Sequence, residues 1–132
     1  MTTLQSNITP TSNGVKRDNH IIDATDKVLG RLATEVAVLL RGKSKLGFAP
    51  YKDIGDFVTV KNIDKVRLTG KKFENKIYYH HTLYLGGLKR QTPKEVVAKK
   101  GHAELLRKAV MGMLTKNKLR AKQIKRLRFE SR

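Results

Sequence analysis

The sequence predicts an α/β domain built on a small, largely parallel sheet. Two features point there. Short β-branched runs alternate with helical runs in strand–helix–strand order, and each main helical run carries a single apolar stripe. With 132 residues, 39% of them hydrophobic, the chain can bury one real core and no second one.

Residues 1–19 (MTTLQSNITPTSNGVKRDN) are polar and lack apolar periodicity, so a flexible arm is expected ahead of a single domain spanning 20–132. A cleaved targeting peptide fits less well. Lys16 and Arg17 are its only basic residues, and there is no apolar secretory stretch. Order should begin with a short strand at His20-Ile21-Ile22, followed by the polar turn Asp23 to Asp26. Leu29, Leu32, Ala33, Val36, Leu39 and Leu40 then recur at the spacing of one helical face. Gly42 stands where a left-handed residue commonly ends a helix, and Gly47 and Pro50 punctuate the loop beyond it.

Phe57 to Val60 is a β-branched run suited to a buried strand. Val66–Thr69 and Ile77–Thr82 predict two more strands, with the turn Gly70-Lys71-Lys72 after the first. Thr92-Pro93-Lys94-Glu95 reads as a capping box with proline in the first turn, opening a helix that stops near Gly101. A second helix follows, with Ala103, Leu106, Val110, Met113 and Leu114 on one face. Leu127 and Phe129 alternate with Arg126 and Arg128, as in a final strand.

Charge bounds the function. Lys and Arg number 29 against 11 Asp and Glu, a net +18, and Lys89 to Arg132 hold 15 Lys/Arg and 3 acids, so +12 of that charge. Self-repulsion on this scale destabilises a compact chain, and a polyanionic partner relieves it. An anionic membrane would call for a basic amphipathic helix, whereas these cations are spread over loops and several elements. No apolar run approaches the ~20 residues a membrane-spanning helix needs. The absence of cysteine removes disulfides, thiolate catalysis and cysteine zinc sites.

The stretch KIYYHHTLYLGGLKRQ is where catalysis or metal binding would hide. On a strand, His80 and His81 point to opposite faces, and no cysteine or spaced carboxylate completes a ligand set. No Ser–Gly elbow or acid pair accompanies them. Gly42-Lys43-Ser44 fails as a phosphate loop, because position 37 is Ala37 inside a helix rather than a glycine after a strand. What remains is four cationic turns: Arg41 to Lys45, Gly70 to Lys72, Gly86 to Arg90, and Lys116 to Arg120. Glycines let backbone amides approach a phosphate, lysines and arginines attract it, and nearby tyrosines and histidines can stack on unpaired bases. Structured RNA suits this pattern better than DNA, since no recognition helix stands out.

Between Ile21 and Phe129 the chain resembles the family of ribosomal protein thirteen of the large subunit, in its bacterial and organellar form. The blocks that carry the resemblance are Ile22-Asp23-Ala24, Leu29 to Thr34, Leu40-Arg41-Gly42-Lys43, Gly55 to Val58, Leu68 to Lys72, Tyr78 to Thr82 with Gly86 to Lys89, and Ala109 to Leu114 leading to Asn117-Lys118-Leu119. The resemblance implies a three-layer α/β/α fold, here expected with a small, largely parallel four-stranded sheet. It implies direct binding to large-subunit ribosomal RNA early in subunit assembly, neighbouring large-subunit ribosomal proteins as partners, and a place in the ribosome, cytoplasmic with an organellar ribosome as the alternative. It implies neither catalysis, cofactor, membrane nor small-molecule substrate. The chain departs from the family pattern at Asn19-His20, where an aromatic pair is usual, at Thr115 in place of a common proline, and at Arg120 where glycine is frequent.

The expected RNA contacts are Arg31, Arg41, Lys43, Lys45, Lys71, Lys72, His80, His81, Lys89, Arg90, Lys116, Asn117, Lys118 and Arg120. The cations would neutralise phosphates, with His80, His81 and Asn117 stacking or bonding to base edges. The alternatives are a free-standing nucleic-acid or RNA-chaperone protein, or a small enzyme using the histidine pair.

Overall fold

The structure is a computed structural model that describes Thr9–Pro10 and residues 14–130. The flexible arm expected over 1–19 falls in large part outside the described residues. Within it, β1 (Thr9–Pro10) pairs antiparallel with β2 (Lys16–Arg17). Then follow β3 (Asn19–Asp23), α1 (Leu29–Arg41), β4 (Phe57–Lys61), α2 (Lys72–Asn75), β5 (Tyr78–His81), β6 (Leu88–Gln91), α3 (Pro93–Lys100), α4 (His102–Met113), α5 (Leu119–Ile124) and β7 (Leu127–Glu130).

The α/β class stands. The central sheet runs β3-β4-β7, all parallel, with Ile22 opposite Val60 and Val58 opposite Leu127. Strand alternation sends Ile22, Val58, Val60 and Leu127 to one buried face. There they join α1's stripe (Leu29, Leu32, Ala33, Val36, Ala37, Leu40) and α4's Leu105, Leu106 and Val110 in one core. Leu105 belongs to this core, whereas Met113, expected on the buried face of its helix, is 42% exposed. On the other face of the sheet Ile21 and Arg128 are exposed.

The sheet has three strands rather than the four expected. The run at 66–69 contributes a single parallel bridge, Val28 to Arg67. Its partner segment turns into α1 at Leu29, so the ladder has no length over which to grow. The run at 77–82 forms β5 but lies outside the parallel sheet. It pairs antiparallel with β6, His80 opposite Lys89 and Tyr79 opposite Arg90. Of its residues only Tyr78 packs against the core, too little to seat a central strand, and a neighbouring hairpin strand satisfies its backbone.

Local signals behave as chemistry requires. Gly42 ends α1 in the left-handed region, at φ 72. Thr92 and Glu95 form the reciprocal capping box of α3. Gly55 is demanded by packing instead of backbone conformation: a Cβ there would lie 1.7 Å from the Leu40 carbonyl oxygen.

That close approach sits in a polar clamp which ties residues 17–20 and Arg126 to the segment 40–56. Arg126 donates to both Asp53 carboxylate oxygens (2.9 and 2.6 Å) and to the Leu40 carbonyl at 3.1 Å. Arg17 donates to the carbonyls of Gly55 (2.6 Å) and Asp53 (2.9 Å). Buried Asp56 accepts from the Asp18 backbone N–H (3.0 Å), lies 3.1 Å from His20 Nε2, and pairs with the Lys45 ammonium at 2.5 Å. Burial pushes Asp53 and Asp56 up. The hydrogen bonds and charge of Arg126 and Arg17 on Asp53, and of Lys45, Asp18 and His20 on Asp56, outweigh it, so both carboxyls lie below their ordinary range.

Candidate nucleic-acid interface

Three of the acids are engaged by partners within the chain. Asp53 and Asp56 hold Arg126, Arg17 and Lys45. Asp23 accepts from the Thr25 backbone N–H and hydroxyl and from Asn62, which lower its pKa to about 2. The cations that remain unpaired collect elsewhere.

A cleft of about 730 Å³ opens between the start of α1, residues 67–72, α2, Tyr78 and the outer face of α4. Its floor is apolar (Leu29, Leu68, Ala109, Met113), its rim carries Arg67, Lys71, Lys72, Lys76 and Lys108, and no acid among the described residues lines it. Those five cations make no ion pair among the described residues. Tyr78 organises two of them: the ammoniums of Lys108 and Lys76 lie 4.7 and 5.1 Å from its ring centroid. Burial raises the Tyr78 hydroxyl pKa. Met113 also borders a second hollow of about 340 Å³, shared with Arg41 and Lys43, so the groove continues along α1.

The β5–β6 hairpin is the other cationic surface. Cross-strand register places Lys89 beside His80 and Arg90 beside Tyr79, with the Arg90 guanidinium carbon 5.9 Å from the Tyr79 ring centroid. At its tip Leu83, Tyr84 and Leu85 are exposed. Leu83 takes φ 70, held by its N–H donating to His81 Nδ1 at 2.9 Å. A Cβ on Gly87 would sit 2.1 Å from Thr82 Oγ1 and 2.9 Å from the Tyr84 carbonyl oxygen, so a larger residue would force the tip to shift.

The fourteen expected contacts therefore divide. Lys71 and Lys72 meet at the cleft, Arg41 and Lys43 at its continuation, and His80, His81, Lys89 and Arg90 on the hairpin. Arg31 is exposed on α1, and Lys116 and Lys118 are exposed between α4 and α5. Asn117 uses its side-chain oxygen to accept from the Arg120 N–H at 3.2 Å, the local job of a helix cap. Lys45 is occupied inside the molecule by Asp56 and by the Lys16 carbonyl, 2.8 Å away. Asp18, His20 and Asp56 gather ligand-type atoms within 4.8 Å of one another, but the Lys45 ammonium already supplies the positive charge. Sequence reading missed Arg67, Lys76 and Lys108. The available signal was Lys108 one turn from Gly112, which marks a helix face that is cationic yet has no side chain at its next step.

Comparison with known proteins gives the family. The family model for ribosomal protein L13 matches residues 17–130. "Large ribosomal subunit protein uL13" of Geobacter sp. (strain M21) is 51% identical over 117 residues, covering 89% of this chain and 82% of that protein. The protein of the same name from Desulfotalea psychrophila is 47% identical over 116 residues, covering 88% and 81%. That from Kocuria rhizophila is 50% identical over 120 residues, covering 91% and 81%. This is a family of structural ribosomal proteins, not of enzymes. The chain belongs to the ribosomal protein L13 family.

Proposed function

We propose that this chain is a structural constituent of the large ribosomal subunit that binds large-subunit ribosomal RNA directly and supports early subunit assembly beside neighbouring ribosomal proteins. Its place is then the ribosome, in the cytoplasm. The observation that carries the reading is the division of charge: carboxylates bind cations inside the clamp, while the cleft and hairpin present cations that, among the described residues, have no carboxylate partner. Phosphate contacts of this kind position a protein on folded RNA, and tyrosine and histidine beside them suit unpaired bases.

Sedimentation of a lysate at moderate salt tests it. Recovery with the large subunit is expected; recovery only in free fractions, with nucleic-acid binding intact, would favour a free-standing RNA-binding or chaperone protein instead. Loss of a turnover on joint replacement of His80 and His81, with RNA binding unchanged, would point to an enzyme.

A further inference from the structure

We propose that the cleft between α1, α2 and α4 clasps an unpaired RNA strand, seating a base or ribose on its apolar floor while the rim cations hold the flanking phosphates. This deepens the ribosomal reading and rests on it. Charge complementarity chooses the occupant: five unpaired cations surround a floor without a carboxylate. The floor chooses the form of the RNA. A duplex shows its flank as phosphate and ribose, and is too wide to enter. The volume, about 730 Å³, lies within the ~300–1,000 Å³ that encloses small organic ligands and suits one or two nucleotides.

Two glycines support the assignment. Gly30 in α1 and Gly112 in α4 both line the cleft, neither has a positive φ, and a Cβ on either would meet nothing within 4 Å. Helix propensity disfavours glycine here, and no contact among the described residues requires it. The space is kept for something outside the chain. Tyr78 holds the Lys76 and Lys108 ammoniums beside the opening, so less side-chain freedom is lost when a phosphate arrives.

The test uses the full-length protein with transcribed large-subunit ribosomal RNA. Gly112→Leu fills the cleft on a helix surface that leucine favours. It should weaken RNA binding about tenfold, the effect of losing one stacked or seated base, while its thermal unfolding stays at or above wild type. In parallel, a photo-cross-linking side chain at exposed Asn75, on the rim, is activated in assembled large subunits. An adduct whose extra mass is removed by ribonuclease supports the proposal. Wild-type affinity for Gly112→Leu overturns it, as does an adduct removed only by protease, which would place a protein segment in the cleft. Either result leaves co-sedimentation with the subunit intact, whereas failure of the wild-type protein to co-sediment would instead sink the ribosomal reading.

Discussion

Replacing Arg126 with methionine tests whether the polar clamp holds the last strand in place. Arg126 is 7% exposed, and its guanidinium makes three hydrogen bonds, two of them to Asp53. Methionine fills much of the volume but strands the Leu40 carbonyl and half of Asp53's partners. Breaking a buried ion pair from one side costs about 3–5 kcal/mol. Asp53 keeps Arg17 Nη2 at 3.6 Å, and its side chain is 20% exposed, so the lower end applies, about 3 kcal/mol. For a chain of this size that is roughly a 10 °C fall in Tm. Urea unfolding followed by far-UV circular dichroism reads it, and a cycle with Asp53→Asn and the double variant isolates the pair, with a coupling of about 2 kcal/mol expected. An Arg126→Met midpoint equal to wild type, or a coupling within error of zero, would refute the clamp.

Gly55→Ala should destabilise by roughly 3 kcal/mol or more, because backbone meets backbone at the added methyl, whereas Gly112→Ala should be neutral or slightly stabilising; unfolding midpoints compare them directly. Asp53 and Asp56 titrate below their unfolded values, so the folded state binds fewer protons. Their stabilisation is complete above the unfolded carboxylate pKa, about 4, and is lost as pH falls through the lower folded values. Urea midpoints that stay flat from pH 7 to pH 3 would contradict this. Exchanging Lys71 and Lys72 together for glutamine should weaken ribosomal RNA binding and flatten its log–log salt slope by about 1.5, at ~0.7–0.9 per phosphate. Lys45→Gln should instead lower stability and leave the slope unchanged, and a filter-binding salt titration separates the two.

Much of the fold was legible because local chemistry decided it. The helical stripe of α1, the Gly42 stop, the Thr92–Glu95 box and the Leu127/Phe129 alternation all record interactions between near neighbours. The missing fourth strand was not, because β-branched residues at 66–69 declare a propensity but not a partner, and the segment they bridge to at Val28 becomes helix at Leu29. Arg126 and Lys45 read as surface cations, since nothing in a sequence reveals that Asp53 and Asp56 reach them from 73 and 11 residues away. The hairpin cations were adjacent in sequence and so were visible. The cleft was not, being assembled from α1, residues 67–72, α2, Tyr78 and α4, and its three unforeseen cations come from three separate segments.

Lysine footprinting of the protein free and in assembled large subunits reaches the central claim most directly. Lys71, Lys72, Lys76, Lys89 and Lys108 should react with an acylating reagent in the free protein and become protected in the subunit, while Lys45 should be slow in both states. If the cleft and hairpin lysines remain as reactive in the particle as in solution, the unpaired charge does not face RNA and the account is wrong.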